Sequence, residues 1–353
     1  MKLMFNSLGS LGATEICESV PIVLSNYQTP SPNAYSTSPV STLVGDKIVM
    51  YGQAGTAHTI GGDLYRFEID SQGNVSDYTK VFDAVSVNKV WRRPYPIYKN
   101  GKVYLFCTLK DATDPLNLRR MYLFESTDGE VGKAFTNSLI STGITANTGE
   151  FAFGKPITLS DGSILMAWYS FDNIGVHYST NVMKYDANMN FVATYEIYSG
   201  AAYNNETAIL EIKSGTLLAI SRREDNHTLQ QSISTDNGVT WSAYQLMNLV
   251  NGFISNVDMI VNDSGTVDII YFTREDGKML LSLDNNPDTI IANPLGYNAG
   301  KLLYTSPFGY IQGYGGIIEK CAGNYFVSFQ METALGQASP TFTYYSWGNF
   351  SAL

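Results

Sequence analysis

Six times along this 353-residue chain an apolar run enters a short glycine-containing turn and leaves as a second, almost continuously apolar run. The segments are VSTLVGDKIVMYG, YPIYKNGKVYLFCT, KPITLSDGSILMAWY, TAILEIKSGTLLAIS, VDMIVNDSGTVDIIYF and GIIEKCAGNYFVSFQ. Their turn glycines are Gly45, Gly101, Gly162, Gly215, Gly265 and Gly323, at intervals of 56, 61, 53, 50 and 58 residues. Glycine beside Asn, Asp or Ser suits a tight hairpin, because such turns need positive φ, which side chains with a Cβ reach only at a cost. The second run of each pair has the near-continuous apolarity of a strand covered on both faces.

A second landmark follows each of the first five hairpins, a turn carrying aspartate at Asp70, Asp128, Asp186, Asp236 and Asp284. An aspartate there can accept from its own downstream amides and pin the turn between a third and a fourth strand. Units of about 50 residues with four strands each are propeller blades. The pattern therefore predicts an all-β chain, a six-bladed β-propeller of four-stranded antiparallel blades spanning residues 1–353 as one ring. Within it, the N-terminal segment 1–34 supplies the strand that closes the ring. Two stacked β-sandwiches would explain the strands but not the repeated register of both landmarks.

Composition narrows the partners. Aromatic residues are 13% and charged residues 15%, which excludes a disordered chain. A net charge of −10, with no Lys/Arg-rich stripe, argues against a nucleic-acid partner. No run approaches the roughly 18 apolar residues of a membrane span. Cys17, Cys107 and Cys321 lack pairing or ligand spacing and read as small buried apolar residues. His58, His177 and His227 are isolated, so neither a metal nor another cofactor is expected. The poor match of the N-terminus to a signal peptide leaves an extracellular or virion-associated location to another export route, with the cytoplasm as the alternative.

Ser234-Thr235-Asp236-Asn237-Gly238-Val239-Thr240-Trp241 matches the Asp-box pattern Ser-x-Asp-x-Gly-x-Thr-Trp in full, and the other aspartate turns resemble degraded copies. The box is a structural device, so Asp236 is not expected to be catalytic. Around it, NNETAILEIKSGTLLAISRREDNHTLQQSISTDNGVTW is similar to the fourth blade of sialidases, placing Glu206 and Arg222 at family positions. GEFAFGKPITLSDGSILMAWY resembles the third blade, YFTREDGKMLLSLDN puts Arg274 near a family arginine, and GYGGIIEKCAGNYFVSFQME points to Tyr314 and Glu332. The resemblance runs through blades 3 to 6 in order.

What it implies is chemically coherent. A sialic acid carries a carboxylate on its anomeric carbon, which would repel a carboxylate nucleophile; a tyrosine deprotonated by a neighbouring glutamate avoids this. The resemblance thus assigns Tyr314 as nucleophile, Glu206 as its base, and Arg222 and Arg274, with Glu332, to the substrate, arginines being suited to carboxylates by their planar fork. In the first blade, however, AYSTSPVSTLV holds Ser36 and Thr37 where the family has an arginine. For the acid, GQAGTAHTIGGDLYRF offers His58 or Asp63, of which Asp63 is the catalytic candidate. Trp91-Arg92-Arg93-Pro94, ahead of blade 2, resembles the missing arginine motif, making Arg92 and Arg93 substrate-binding candidates or else a surface pair. Tyr314, one of 24 tyrosines, has packing as its alternative.

Two functions follow from these residues. One is an exo-glycoside hydrolase removing a terminal sialic acid or related acidic sugar. The other is a non-catalytic carbohydrate-binding or structural propeller, such as a virus or phage attachment or tail component, with assembly into a particle or a homo-oligomer.

Overall fold

The computed structural model describes residues 23–28, 35–45, 47–55, 62–70, 76, 78–83, 89–111, 119–142, 148–172, 178–200, 204–223, 227–249, 253–306, 309, 311, 313–321, 324–331 and 342–349. These form six antiparallel sheets, numbered here as blades in chain order by their first strands: Tyr35–Val44, Lys89–Lys99, Thr148–Ala152, Asn204–Lys213, Ile254–Val261 and Gly313–Cys321. First strands pack on one another between blades 1 and 2, 2 and 3, 4 and 5, 5 and 6, and 6 and 1, while the first strand of blade 4 meets blade 3 through Ile157–Thr158 and Ile164–Asp172. The chain is an all-β propeller.

Five sheets have four strands, as the repeats predict. The third departs from that expectation: its second strand, Ile164–Asp172, pairs with both Thr148–Ala152 and the two-residue strand Ile157–Thr158, giving five. Gly154 at φ 111° and Pro156 interrupt what would otherwise be one continuous first strand. In the sixth sheet, Val23–Gln28 pairs antiparallel with Phe342–Asn349 and becomes the outermost strand. The last blade is thus built from both ends of the chain, and each end is held by the other's hydrogen bonds.

The apolar second strands explain the ring. Side chains along a strand alternate between its faces. Ile164, Met166 and Trp168 enter a core shared with blade 2, while Leu165 and Ala167 enter one shared with blade 4. Leu218 and Ile220 face blade 5, and Leu217 and Ala219 face blade 3. Ile269 and Tyr271 face blade 4, and Ile270 and Phe272 face blade 6. Every interface between neighbouring blades has its own apolar cluster, the sixth blade meeting the first through Ile48, Met50, Phe67, Ile69 and Phe326. Cys107 is buried in the cluster between blades 1 and 2, and burial pushes its thiol up.

The turns follow their chemistry. Gly45, Gly101, Gly162, Gly215 and Gly265 all have positive φ, between 62° and 84°, while Gly323 lies outside the described residues. Asp236 accepts from Val239 N and Thr240 N at 3.1 and 2.8 Å and from the Thr240 hydroxyl at 2.6 Å. Trp241 donates to Gly238 O at 3.0 Å and packs on the cluster between blades 3 and 4. Asp128 and Asp186 cap their turns in the same way. Asp284 does not. Its own N–H donates to Asp268 at 2.9 Å, and the chain passes into the helix Pro287–Ala292, capped by Asn286. That helix already satisfies the amides an aspartate turn would have bound. Asp70 is exposed, and its turn lies outside the described residues.

Candidate functional site at the axial end of the blades

In five of the six blades the pairing of the first strand is irregular at the end away from the glycine hairpin. Register shifts fall between Thr37 and Val40, Arg92 and Tyr95, Asn204 and Thr207, Ile254 and Val257, and Gly313 and Gly316. Such bulges re-aim side chains that a regular strand would point into the inter-blade cores. Three of them contain Arg93, Glu206 and Tyr314. Arg93 itself has φ 52°, a left-handed conformation that a non-glycine residue holds only when its surroundings enforce it.

Glu206 is the centre of the described site. It is 4% exposed. Arg222, 3% exposed at the end of the neighbouring strand Thr216–Arg223, donates Nε to Glu206 Oε2 at 2.7 Å. Arg93 of blade 2 brings Nη1 to 3.5 Å from Glu206 Oε1, and its guanidinium lies 4.4 Å from the centre of the Phe153 ring of blade 3. Arg222 Nη1 is 3.5 Å from His227 Nδ1. The His227 ring stacks on Phe253 at 3.6 Å, and the Arg274 guanidinium sits 5.2 Å from the Phe253 centroid. Three blades therefore contribute to one continuous string of side chains, from Arg93 through Glu206, Arg222, His227 and Phe253 to Arg274, with Phe153 of a fourth flanking Arg93.

The floor of this end is tied across the axis. Lys155 of blade 3 donates Nζ to Ile317 O of blade 6 at 2.9 Å, and Ile317 N donates to Asp258 Oδ2 of blade 5 at 2.9 Å. Asp258 is buried, and its burial raises the carboxyl above the usual range against the Lys155 charge and two backbone N–H groups. These bonds hold the strand Gly313–Cys321 three residues beyond Tyr314.

The predicted site residues fare differently. Glu206, Arg222 and Arg93 are brought together, and Arg274 joins them through Phe253 and His227. Asp63 opens the third strand of blade 1, Asp63–Ile69, two strands out from the axis, and its Oδ2 faces Lys80 Nζ of the outermost strand at 3.4 Å. Tyr314 and Arg92 are placed by their backbones in first strands, and their side chains lie outside the described residues, as do Ser36, Thr37, His58, His177 and Glu332. Sequence reasoning overlooked Phe153, Phe253 and the contact of His227, and also Glu150. That buried carboxylate accepts from the Thr142 hydroxyl and from Met121 N, with Arg120 at 3.9 Å, and burial raises it above the usual range. It faces blade 2. The glycine beside it in GEFAFG was its only local signal.

Two guanidinium groups, of Arg222 and Arg93, flank one buried carboxylate, and a third, of Arg274, lies beyond Phe253. Among the described residues no cluster of His, Cys, Asp and Glu is arranged to hold a metal, and no helix is long and apolar enough to cross a membrane.

Solved structures similar to the chain share this architecture. A protein of unknown function from Dyadobacter fermentans aligns with a TM-score of 0.75 at 13% identity, over 94% of this chain and 98% of the other. The Hadza microbial sialidase Hz136 aligns with a TM-score of 0.71 at 12% identity, over 90% of this chain and 66% of that one. An intramolecular trans-sialidase from Ruminococcus gnavus, in complex with oseltamivir carboxylate, aligns with a TM-score of 0.69 at 12% identity, over 90% and 95%. No curated protein sequence matches the chain. The sequence profile of the BNR repeat-like domain matches residues 73–290, well over half the chain, and the protein belongs to that family, with a sialidase-like propeller fold.

Proposed function

We propose that the axial end binds the carboxylate of a terminal acidic sugar, sialic acid or a relative, and that the chain acts on it as an exo-glycoside hydrolase. The observation that supports this best is Glu206, buried between Arg222 and Arg93 with Arg274 nearby. Arginine forks bind carboxylates through paired charged hydrogen bonds, and Arg222 and Arg93 both reach this point from different blades. Similar folds include a Trypanosoma rangeli sialidase in complex with sialic acid, which matches at 12% identity over 94% of this chain and 59% of that one. In this reading Glu206 takes the phenol proton of Tyr314 as the phenolate attacks the anomeric carbon. The departing oxygen takes a proton, and water then releases the sugar from tyrosine. For Asp63 to supply that proton, it has to leave Lys80, take up a proton from solvent and turn its carboxylic acid toward the axis. Arg92 and Glu332 complete the proposed substrate contacts.

A second reading, a non-catalytic glycan-binding or particle-assembly propeller, is favoured by one feature: in blade 1 Ser36 and Thr37 stand where an arginine is expected, and Asp63 is engaged with Lys80. Such a protein would work outside the cell or on a virion. The discriminating experiment is turnover of a fluorogenic sialoside from pH 4 to 8, beside an active sialidase. Release of the fluorophore, lost in Glu206→Gln and Tyr314→Phe, supports hydrolysis. No release, with hits for acidic sugars on a glycan array, favours binding alone.

A further inference from the structure

Away from the axis, the outer edges of blades 4 and 5 leave a cleft of about 290 Å³ lined by Asn248, Leu249, Tyr271, Tyr297, Asn298 and Gly300. That is the small end of the roughly 300–1,000 Å³ typical of ligand pockets. Asn248 and Leu249 follow the last strand of blade 4, Gln245–Leu246, and Tyr297 to Gly300 precede the last strand of blade 5, Lys301–Thr305.

The two tyrosines differ in one telling way. Tyr297 is buried, and its hydroxyl donates to Gln231 Oε1, whose Nε2 in turn donates to Ile290 O at 2.9 Å. Tyr271 is 1% exposed, yet its hydroxyl has no hydrogen-bond partner among the described residues. Burial alone pushes its phenol up to about 12. That hydroxyl packs against Gly300, where a Cβ would come within 1.8 Å of it, and both residues line the cleft. A hydroxyl with no protein partner at the edge of a cleft has to be met by water or by a ligand, because leaving it unpaired forfeits its hydration. Asn248 adds to the inventory. Its Nδ2 donates to Tyr297 O at 3.3 Å, leaving its carbonyl oxygen as an acceptor at the rim.

We propose that this cleft is a second ligand site, separate from the axial pocket, that takes a small neutral polyhydroxylated molecule of the monosaccharide type. Among the described residues no charged side chain lines it, so an ionic ligand would lose hydration without gaining a counter-charge from them. A neutral sugar offers hydroxyls to Tyr271 and Asn248 and an apolar face to Leu249. The site does not depend on the reading of Glu206.

The test uses the full chain, with D-galactose and D-glucose as probes and D-glucuronate as the charged control, followed by saturation-transfer NMR. At least one neutral sugar is expected to respond through the cleft, whereas any glucuronate response, arising at the axial end, is expected to be unaffected by Tyr271→Phe. Tyr271→Phe removes a hydroxyl that the fold leaves unpaired, so the melting temperature is expected to stay within about 1 °C while the Kd weakens about two- to tenfold. Asn248→Ala, at an exposed residue, is expected to weaken it as well. No response to either neutral sugar, a glucuronate response that Tyr271→Phe weakens to the same extent, or neutral-sugar binding unchanged in both variants overturns the proposal.

Discussion

Arg222 donates Nε to Glu206 Oε2 at 2.7 Å with both side chains almost wholly out of solvent, across adjacent strands of one blade. A buried ion pair of this kind is a weak source of net stability, but breaking it is costly, because the remaining charge is left without its partner. Arg222→Ala is accordingly expected to lower unfolding free energy by about 3–5 kcal/mol, read from urea denaturation. Arg222→Met combined with Glu206→Gln should recover most of that loss. If the double variant is no more stable than the single one, the cost lies elsewhere than in the stranded charge.

Gly154 sits where the first strand of blade 3 breaks, with φ 111° and an added Cβ only 2.4 Å from the backbone oxygen of Thr207, the residue after Glu206. Gly154→Ala must both strain its own backbone and displace blade 4 at the site. A cost of at least about 1–3 kcal/mol is expected from the backbone alone. Any turnover or acidic-sugar binding should fall further than in a variant of equal stability made in an outer strand. Thermal melting alongside sugar titration separates the two effects.

Asp236 carries the pH dependence of its turn. The Thr240 hydroxyl and N–H, with Ser234 and Val239 N, hold its carboxyl below the usual range, overcoming a small opposing effect of burial. A carboxyl whose pKa is lowered by folding stabilises the fold above its unfolded value of about 3.9 and loses that contribution as pH falls through the lower folded value. The melting temperature should therefore drop on acidification below about pH 4, less steeply in Asp236→Asn. At neutral pH Asp236→Ala should cost about 1–2 kcal/mol, as loss of a capping side chain does. An unchanged acid slope in Asp236→Asn would show that other carboxylates dominate it.

Removing residues 1–28 deletes the strand that pairs with Phe342–Asn349 and leaves an unpaired edge on the sixth sheet. Exposed edges invite pairing with another chain. The truncated protein is expected to melt lower and to elute as larger species in size-exclusion chromatography, and adding the missing segment as a peptide should partly reverse both. A truncated chain that stays monomeric at its original melting temperature would refute this.

Local chemistry was enough to disclose the repeat architecture. Positive φ at Gly101 or Gly162, alternation along Ile164–Asp172 and the capping geometry of Asp236 each depend on a few consecutive residues, so the sequence carries them without reference to the rest of the chain. The same locality explains the misjudged turn at Asp284, where a short helix competed for the same amides. Glu206 and Arg222 were legible because one blade holds both at a fixed spacing. Nothing within a blade, however, says that Arg93, more than a hundred residues earlier, comes to lie beside Glu206, or that the Tyr271 hydroxyl is left facing a cleft between two blades. Those outcomes belong to the closed ring: bulges at the axial ends set which way side chains leave the strands, and the packing of six sheets against one another sets which of them meet.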